Sequence, residues 1–304
     1  MRVFLTGATG FIGSAIVEEL RAAGHQVEGL ARSDEAADTL TRWGIAVRRG
    51  DVADPEGLAE AARASDGVIH CAFGHDFSRY LEMGEADERA VSAMAEALAG
   101  SGKPLVVTSG MTASTPGRLS TEADAAQTEG FGAVRGRPEA LALFASETGV
   151  RSMVVRLPPS VHDLERQGLV SLLIDLARQT GVSAYIGDGA NRWPAVHRRD
   201  AARLFRLGLE RGQAGQRLHA VAEEGVALRA VAEAIGEKLG IPTHGLDPND
   251  AATHFGWLAL VASNDVPASS ALTRESLGWR PTGPGLLEGL VGDYLPRASA
   301  TRGV

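Results

Sequence analysis

The first half of the chain alternates short runs of apolar, mostly β-branched residues with longer stretches whose apolar positions recur at helical spacing. This alternation is typical of a parallel sheet covered by helices on both faces. It predicts six strands, at Val3–Thr6, Val27–Leu30, Val47–Arg48, Gly67–Cys71, Leu105–Thr108 and Met153–Leu157. It predicts five helices between them, at Ile12–Ala23, Glu35–Arg42, Glu56–Ala64, Glu82–Leu98 and Pro138–Glu147. Right-handed strand–helix–strand crossovers of this kind build a doubly wound α/β fold.

The second half has a less regular pattern. Pro158 and Pro159 end the sixth strand. Beyond them the pattern predicts three helices and one strand, at Leu169–Gln179, Arg199–Arg211, Leu228–Leu239 and Ala184–Ile186. We therefore expect a first domain over residues 1–157 and a smaller substrate-binding domain over residues 158–304, with segments free to cross back to the sheet. The link between Ser109 and Arg135 is too long for a plain turn, and loops of that length are usually lids or disordered.

A glycine-rich loop follows the first strand and opens the first helix. Gly7 permits the tight turn, Gly10 lets the backbone approach a pyrophosphate, and Gly13 lets helix and strand pack closely. The start of the helix adds unpaired N–H groups and a partial positive charge. In this strand–turn–helix context the loop predicts a Rossmann-type NAD(P)-binding domain, with a cofactor held along Gly7, Thr9, Gly10, Phe11, Ile12 and Gly13.

The residues at the end of the second strand indicate whether the cofactor is NAD(H) or NADP(H). An acidic residue there would bind the ribose hydroxyls of NAD, whereas this chain has Ala31 followed by Arg32 and Ser33. A guanidinium and a hydroxyl suit a 2′-phosphate, so the sequence favours NADP(H) over NAD(H). Asp51 and Val52 follow the third strand, where the carboxylate either accepts a hydrogen bond from adenine or caps the next helix.

Composition narrows the partners. The chain has 304 residues and a formal net charge of −8, which argues against nucleic acid and leaves a small-molecule substrate. Its single cysteine, Cys71, rules out an internal disulfide, and no residues have metal-ligand spacing. The longest apolar run, Trp257 to Ala262, is too short to cross a membrane, and no signal peptide precedes the first strand. We expect a cytoplasmic protein.

These features resemble the short-chain dehydrogenase/reductase superfamily in its extended or atypical, epimerase/dehydratase-like branch. The resemblance covers nearly the whole chain and rests on Gly7–Gly13, Gly50–Val52, Val68–Ala72, Val106–Ser109, Arg156–Val161, Tyr185–Gly189 and Trp193–Asp200. It implies further cofactor contacts at Cys71, Ala72, Phe73, Ser109, Arg137, Pro158 and Ser160. The fourth and fifth helices of this family often pair two subunits, which leaves a homodimer open.

The family's catalytic core is an Asn, a Ser or Thr, and a Tyr separated by three residues from a Lys. Aligning Glu139 with the acidic residue that follows the Lys puts Ala133 at the Tyr position and Arg137 at the Lys position. Ala133 cannot carry a proton, whereas Arg137 can still hold the ribose. The resemblance puts Asp87 where the Asn normally lies.

The sequence therefore does not decide which hydroxyl polarises the substrate or which residue donates the proton. Either Ser109 or Thr112 can polarise a carbonyl. Candidates for the missing acid are His75, Tyr80 and His162, each of which can equally be a pocket-lining or surface group. Tyr185 belongs to the smaller domain and can also face the pocket. We interpret His197 as structural, with Asp200 capping the following helix.

The leading hypothesis is an NADPH-dependent oxidoreductase that reduces a small carbonyl or imine-like substrate by hydride transfer. One alternative is a sugar-nucleotide-type epimerase or dehydratase, against which Ala133 counts. The other is a non-catalytic NADP(H)-binding sensor that has kept the dinucleotide fold and lost the chemistry.

Overall fold

A computed structural model describes residues 1–74, 79–111, 117–164, 168–292 and 294, with the side chain of Phe131 outside that description. Seven strands form one parallel sheet: β1 (Arg2–Thr6), β2 (Gln26–Ala31), β3 (Ala46–Arg49), β4 (Gly67–His70), β5 (Pro104–Gly110), β6 (Arg151–Leu157) and β10 (Gln216–His219). The first six are the predicted strands, each lengthened or shortened at its ends. The sheet confirms the predicted doubly wound Rossmann-type α/β fold.

Helices connect these strands on both faces of the sheet. They are α1 (Phe11–Ala22), α2 (Asp34–Arg42), α3 (Pro55–Ala64), α4 (Tyr80–Leu98), α5 (Ala133–Phe144) and α7 (Arg198–Arg211). Local signals set two of their starts. Ser33 caps α2 by accepting a hydrogen bond from the backbone N–H of Ala36, and Asp54 caps α3 by accepting one from that of Gly57. Asp54 thus takes the capping role that the sequence left open for Asp51.

The strand order is β10-β6-β5-β4-β1-β2-β3, so the chain reverses its winding between β1 and β4. Ligands of open α/β sheets bind outside the carboxyl ends of the strands at such a switch point. The glycine loop follows β1, and Cys71 and Ala72 follow β4. The topology therefore brings these two predicted parts of the cofactor site together.

Apolar side chains pack on both faces of the sheet. One face packs against α1 and α7, with Ile16, Leu20 and Phe205 fully buried, and the other packs against α3, α4 and α5 around Phe4 and Met94. Strand β4 is buried along its whole length, as expected for a central parallel strand.

The smaller part of the chain has its own core and two small sheets. Strands β11 (Glu223–Ala227), β9 (Arg192–His197) and β7 (Ser160–His162) form one sheet, and β12 (Thr243–Leu246) pairs with β8 (Ser183–Ile186). Its helices are α6 (Val170–Thr180), α8 (Leu228–Leu239), α9 (Ala251–Phe255), α10 (Ala259–Ala262), α11 (Ala271–Leu277) and α12 (Leu286–Val291). Of the strands in these sheets the sequence predicted only β8, because the others lack a clear apolar alternation. Helix α7 and strand β10 return to the large sheet from this half of the chain.

In this half of the chain, the roles of His197 and Asp200 at the start of α7 differ from the sequence-based expectation. Helix α7 is capped by His197, whose ring accepts the N–H of Arg199 at 3.3 Å. Asp200 lies within the first turn, and its carboxylate accepts the backbone N–H groups of Thr282 and Gly283, so it anchors the later chain and is not the cap.

No described helix combines the length and the apolarity needed to span a bilayer.

Candidate cofactor-binding and active site

The glycine loop has the shape that a bound pyrophosphate requires. Gly7 has a φ of +71°, and a Cβ on it would lie 2.8 Å from the backbone nitrogen of Ala72. A Cβ on Gly13 would overlap the carbonyl oxygen of Gly7, so only glycine allows α1 to pack this closely on the loop. The N–H of Gly10 donates to the same carbonyl at 2.9 Å, which closes the turn.

The start of α1 carries the features of an anion site. Gly10 is the N-terminal cap and offers no side-chain acceptor, and the first turn holds no acidic residue. The exposed Thr9 and the half-buried Phe11 and Ile12 flank this end of the helix. Unpaired N–H groups and the helix dipole there fit the phosphates of NAD(P).

The residues expected at the adenosine end also lie together. The side chain of Arg32 is 80% exposed, and its Nε lies 3.8 Å from Oδ2 of Asp51. Ser33 Oγ accepts the N–H of Ala36, which leaves its O–H free to donate. Asp51 accepts the N–H of Ala53 at 2.9 Å, and Val52 is half-buried beside it.

A chain of buried polar side chains runs beneath this site between β1, β4, α4 and α5. Thr6 Oγ1 lies 2.8 Å from His70 Nδ1, and His70 Nε2 lies 2.8 Å from Oδ1 of Asp87. The other carboxylate oxygen of Asp87 accepts a hydrogen bond from Arg135 Nη1 at 2.8 Å. All four side chains are at least nine-tenths buried, so the charges of Asp87 and Arg135 depend on each other.

The hydrogen bonds among these buried side chains define which ring nitrogen of His70 carries the proton. Thr6 Oγ1 accepts the backbone N–H groups of Cys71 and Ala72 at 3.2 Å each, which uses both of its lone pairs. Its single proton therefore points to His70 Nδ1, which must accept. His70 then carries its proton on Nε2 and donates it to Asp87. The network assigns the Nε2–H tautomer to this imidazole.

Arg135 is the cation of this buried cluster. Its Nη2 donates to the carbonyl of Thr108 at 2.7 Å, and its guanidinium carbon lies 4.0 Å from the centre of the Phe73 ring. Arg137, two positions along α5, has a side chain 58% exposed, donates to the carbonyl of Thr128, and lies 4.0 Å from Glu88. The structure therefore does not bring Arg137 together with Asp87, because positions 135 and 137 lie on different sides of the helix.

Thr6, His70 and Arg135 are the three members of this cluster that the sequence reasoning missed. A signal for Arg135 was present, because Phe131 and Arg135 have the same separation as the family's Tyr and Lys. The motif was aligned instead on Ala133 and Arg137. His70 gave no separate signal, because it ends a fully apolar strand and its partners come from distant parts of the chain.

Aromatic rings line the edge of the cluster. Tyr80, the first residue of α4, packs edge-on against Phe73 with ring centres 6.0 Å apart. Burial raises the pKa of the Tyr80 phenol, against an opposing effect of nearby Arg135. Burial also raises the pKa of the Cys71 thiol to about 11, so Cys71 is a neutral packing group at neutral pH.

The other residues that the sequence predicted for the active site are spread over several parts of the structure. Ser109 is 2% exposed and its hydroxyl donates to the carbonyl of Arg135 at 3.3 Å. Thr112 and His75 lie outside the described residues. Pro158 and Ser160 are buried beyond the end of β6. Tyr185 lies in β8 of the smaller part, 5.7 Å beneath the guanidinium of Arg229.

His162 lies deep in the smaller part. It is fully buried, and its Nδ1 is 2.9 Å from the hydroxyl of Tyr294. Burial lowers its pKa to about 4, with a smaller contribution from the nearby His197 ring. His162 is therefore a neutral imidazole at neutral pH and holds no imidazolium proton to donate. Among the described residues, no group of three His, Cys, Asp or Glu side chains is arranged to hold a metal ion.

Comparisons with known proteins agree with this geometry. The model of the NAD dependent epimerase/dehydratase family matches residues 3–221. An uncharacterized protein of Saccharomyces cerevisiae is 44% identical over 296 residues, covering 97% of this chain and 99% of the relative. One from Schizosaccharomyces pombe is 46% identical over 295 residues, covering 96% and 99%.

More distant matches have named activities. A 4-hydroxy-2-methyl-3-oxo-4-farnesyl-3,4-dihydroquinoline-1-oxide ketoreductase of Stigmatella aurantiaca is 26% identical over 292 residues, covering 88% of this chain and 84% of the relative. The crystal structure of the dTDP-glucose 4,6-dehydratase DesIV from Streptomyces venezuelae, with NAD and TYD bound, has the same fold. It superposes with a TM-score of 0.76 at 21% identity, covering 97% of this chain and 96% of that one.

Proposed function

The chain belongs to the NAD dependent epimerase/dehydratase family of the extended short-chain dehydrogenase/reductase superfamily, and from that premise we propose that it is an NADPH-dependent reductase of a small carbonyl or imine-like substrate. Family membership supports an NAD(P)-dependent enzyme of oxidoreductase or epimerase type. The cofactor preference, the direction and the substrate class are our proposal.

The observation that carries the proposal is the environment of Arg135. Its guanidinium lies at the carboxyl ends of β4 and β5, fixed by Asp87, the carbonyl of Thr108 and the ring of Phe73. The carboxylate of Asp87 has both oxygens in hydrogen bonds, to His70 and Arg135, so it is not free to remove a proton from a substrate. This cluster fixes the guanidinium of Arg135, a hydrogen-bond donor paired with the carboxylate of Asp87, at the edge of the site.

Donors of this kind favour reduction. When a carbonyl accepts a hydride, its oxygen gains negative charge, and a positioned guanidinium stabilises that charge in a site screened from water. The reverse half-reaction, which an epimerase needs in every turnover, requires a base to take the hydroxyl proton. An arginine cannot be that base, and a phenol whose pKa is raised, as in Tyr80, is a poor one.

Bound NADPH would supply the hydride. The loop from Gly7 to Gly13 and the start of α1 would bind its pyrophosphate. Arg32 and the free O–H of Ser33 would bind the 2′-phosphate, and Asp51 and Val52 would lie against adenine. In this proposal the ribose-holding role expected for Arg137 passes to Arg135, and Cys71, Ala72, Phe73, Pro158 and Ser160 would border the nicotinamide end.

More than one group is a candidate for the donor of the proton that the reduced substrate takes up. Tyr80 lies near Arg135 and, with its raised pKa, keeps its phenol proton, and Ser109, Thr112 and His75 stay predictions. Imines are protonated more easily than ketones and depend less on such an acid, which is why the substrate class includes them. The ketoreductase similarity of the Stigmatella aurantiaca relative supports carbonyl reduction.

The test is oxidation of NADPH, followed at its own absorbance, with a panel of aldehydes, ketones and imines and with identification of the reduced product. A reductase consumes NADPH and substrate in equal amounts. An epimerase or dehydratase would convert sugar nucleotides with its cofactor unchanged after turnover. Saturable NADPH binding with no turnover across the panel would instead support the sensor.

A further inference from the structure

His70 is a buried titratable side chain to which the proposed reaction gives no role. It is the last residue of β4, pairs with Thr6 of β1 in the sheet, and is 1% exposed. Both of its ring nitrogens are already in hydrogen bonds, Nδ1 with the hydroxyl of Thr6 and Nε2 with the carboxylate of Asp87. The imidazole therefore has no nitrogen left to bind a substrate or a cofactor. Any contribution of this ring to the reaction has to pass through its two partners.

One partner connects His70 to the glycine loop. Thr6 directly precedes Gly7. The hydroxyl oxygen of Thr6 accepts the backbone N–H groups of Cys71 and Ala72. Gly7 packs so closely on Ala72 that an added Cβ would lie 2.8 Å from the backbone nitrogen of that residue. The Thr6 hydroxyl thus fixes both the backbone on which the loop packs and the orientation of the imidazole.

The other partner connects His70 to Arg135 in a closed ring of hydrogen bonds. The imidazole binds one oxygen of Asp87, and the other oxygen accepts Nη1 of Arg135 at 2.8 Å. Nη2 of Arg135 donates to the carbonyl of Thr108 at 2.7 Å. The Thr108 hydroxyl donates to the backbone carbonyl of His70 at 2.8 Å, which closes the ring. The guanidinium is therefore held from two sides by the same residue, through its side chain and through its backbone.

Loss of the imidazole would leave the ion pair free to shift. Without the donor at Nε2, the Asp87 carboxylate keeps its bond to Arg135 but loses its attachment to β4. Because the two charges are buried and depend on each other, they can then move as a unit relative to the sheet. A displacement of about 1 Å at a reacting group can lower a rate about 100-fold, even when the altered residue lies away from the chemistry.

We propose that His70 is a positioning residue of the reductase, which holds the guanidinium of Arg135 at the hydride acceptor through Asp87. The inference rests on the proposed function, because it assumes that Arg135 polarises that acceptor. It makes the rate of hydride transfer depend on a side chain that contacts neither substrate nor cofactor. Because Thr6 belongs to the same series of hydrogen bonds, the position of Arg135 is also tied to the glycine loop.

The test compares His70→Asn with His70→Gln, since both remove the same buried imidazole. The amide oxygen of asparagine reaches the place of Nδ1 and can accept from Thr6, but no atom replaces Nε2. The amide nitrogen of glutamine reaches the place of Nε2 and can still donate to Asp87. With a substrate from the reductase panel and saturating NADPH, kcat of His70→Asn should fall about 10- to 100-fold, with a much smaller change in KM. His70→Gln should recover most of the lost rate.

A double-mutant cycle shows whether His70 acts through Arg135. In an Arg135→Met background, replacement of His70 by asparagine should lower kcat no further, because the group that the imidazole positions is already absent. Circular dichroism and a thermal melt show whether each variant is folded. Should His70→Asn not fold, Thr108→Val removes the hydroxyl that closes the ring of hydrogen bonds, and it should lower kcat while NADPH still binds.

Three results would overturn the inference: wild-type kcat in His70→Asn, equal losses in the asparagine and glutamine variants, or a further loss in the Arg135→Met background. Each is measured in an enzyme that turns over. A wild-type protein that oxidises no NADPH across the panel would instead overturn the proposed function, and the inference with it, so the two failures are distinct.

Discussion

The carboxylate of Asp87 on α4 and the guanidinium of Arg135 on α5 form a buried ion pair, with Oδ2 and Nη1 2.8 Å apart. The pair connects the two helices at the carboxyl edge of the sheet. His70 holds the other carboxylate oxygen, and Thr108 holds the other end of the guanidinium. Neither side chain can rotate without breaking a bond to the sheet, so the charge of Arg135 is held at one place.

Replacement of Asp87 by asparagine should destabilise the protein strongly. The variant keeps the shape of the side chain but leaves Arg135 buried without its counter-charge, at a cost of about 3–5 kcal/mol in the free energy of unfolding. Urea denaturation measures the loss. Glu82→Gln, which removes the partner of Arg79 in an exposed pair, is the control and should cost less than about 1 kcal/mol. Similar losses in the two variants would contradict a buried, interdependent pair.

The imidazole of His70 should carry its proton on Nε2. Thr6 Oγ1 already accepts two backbone N–H groups, so its own proton must go to His70 Nδ1. The hydrogen bonds that connect Thr6, His70 and Asp87 then have only this one arrangement. Long-range ¹H–¹⁵N correlation spectra distinguish the two ring tautomers, with His70→Gln to assign the signals. A proton found on Nδ1 would show that the chain of hydrogen bonds runs differently.

Stability should fall at mildly acidic pH because of His162. Its folded pKa is about 4, whereas its ordinary value is 6.5, so between these values the unfolded chain binds a proton that the folded protein does not. The free energy of unfolding therefore decreases as the pH drops from 6.5 toward 4, with this residue contributing roughly 2 kcal/mol by pH 5. Urea denaturation at pH 7 and pH 5 measures the decrease.

In His162→Gln the decrease between pH 7 and pH 5 should be smaller than in the wild type, whatever the constant cost of losing the bond to Tyr294. The exposed His244 is the matched control, and His244→Gln should leave the wild-type pH dependence intact. An unchanged pH dependence in His162→Gln would mean that the buried imidazole does not drive the effect.

Arg32 should decide between the two dinucleotides. Its exposed guanidinium loses only a weak contact with Asp51 when it turns to a 2′-phosphate. Arg32→Ala should raise the dissociation constant for NADPH roughly tenfold and leave that for NADH unchanged. Arg42→Ala removes an exposed charge at the far end of α2 and should alter neither. Equal effects of Arg32→Ala on both cofactors would remove the basis for the NADP(H) preference.

The sequence predicted the central fold because its strongest signals are local. Buried parallel strands are continuous apolar runs, as in β4, and the loop from Gly7 to Gly13 marks the first crossover by its glycines alone. The smaller part was harder to predict. Strands β7 and β10 are three and four residues long and are stabilised by partners far along the chain.

The site was predicted only in part for the same reason. Asp87 was predicted through the family resemblance, but its partners come from β4 and α5, and no periodic pattern connects them. The choice between Arg135 and Arg137 depends on the rotation of α5 about its axis, which two residues change by about 200°. A sequence in which both positions are arginine does not show which one faces the sheet.

If the guanidinium of Arg135 polarises the hydride acceptor, Arg135→Met and Arg137→Met will differ in turnover. Both remove one arginine from α5, and the rates are compared at saturating NADPH, because Arg135 is also assigned to the ribose of the cofactor. With a substrate found in the reductase panel, kcat of Arg135→Met should fall at least about 100-fold while Arg137→Met keeps the wild-type rate. Wild-type turnover in Arg135→Met, or an equal loss in both variants, would show that Arg135 does not polarise the hydride acceptor.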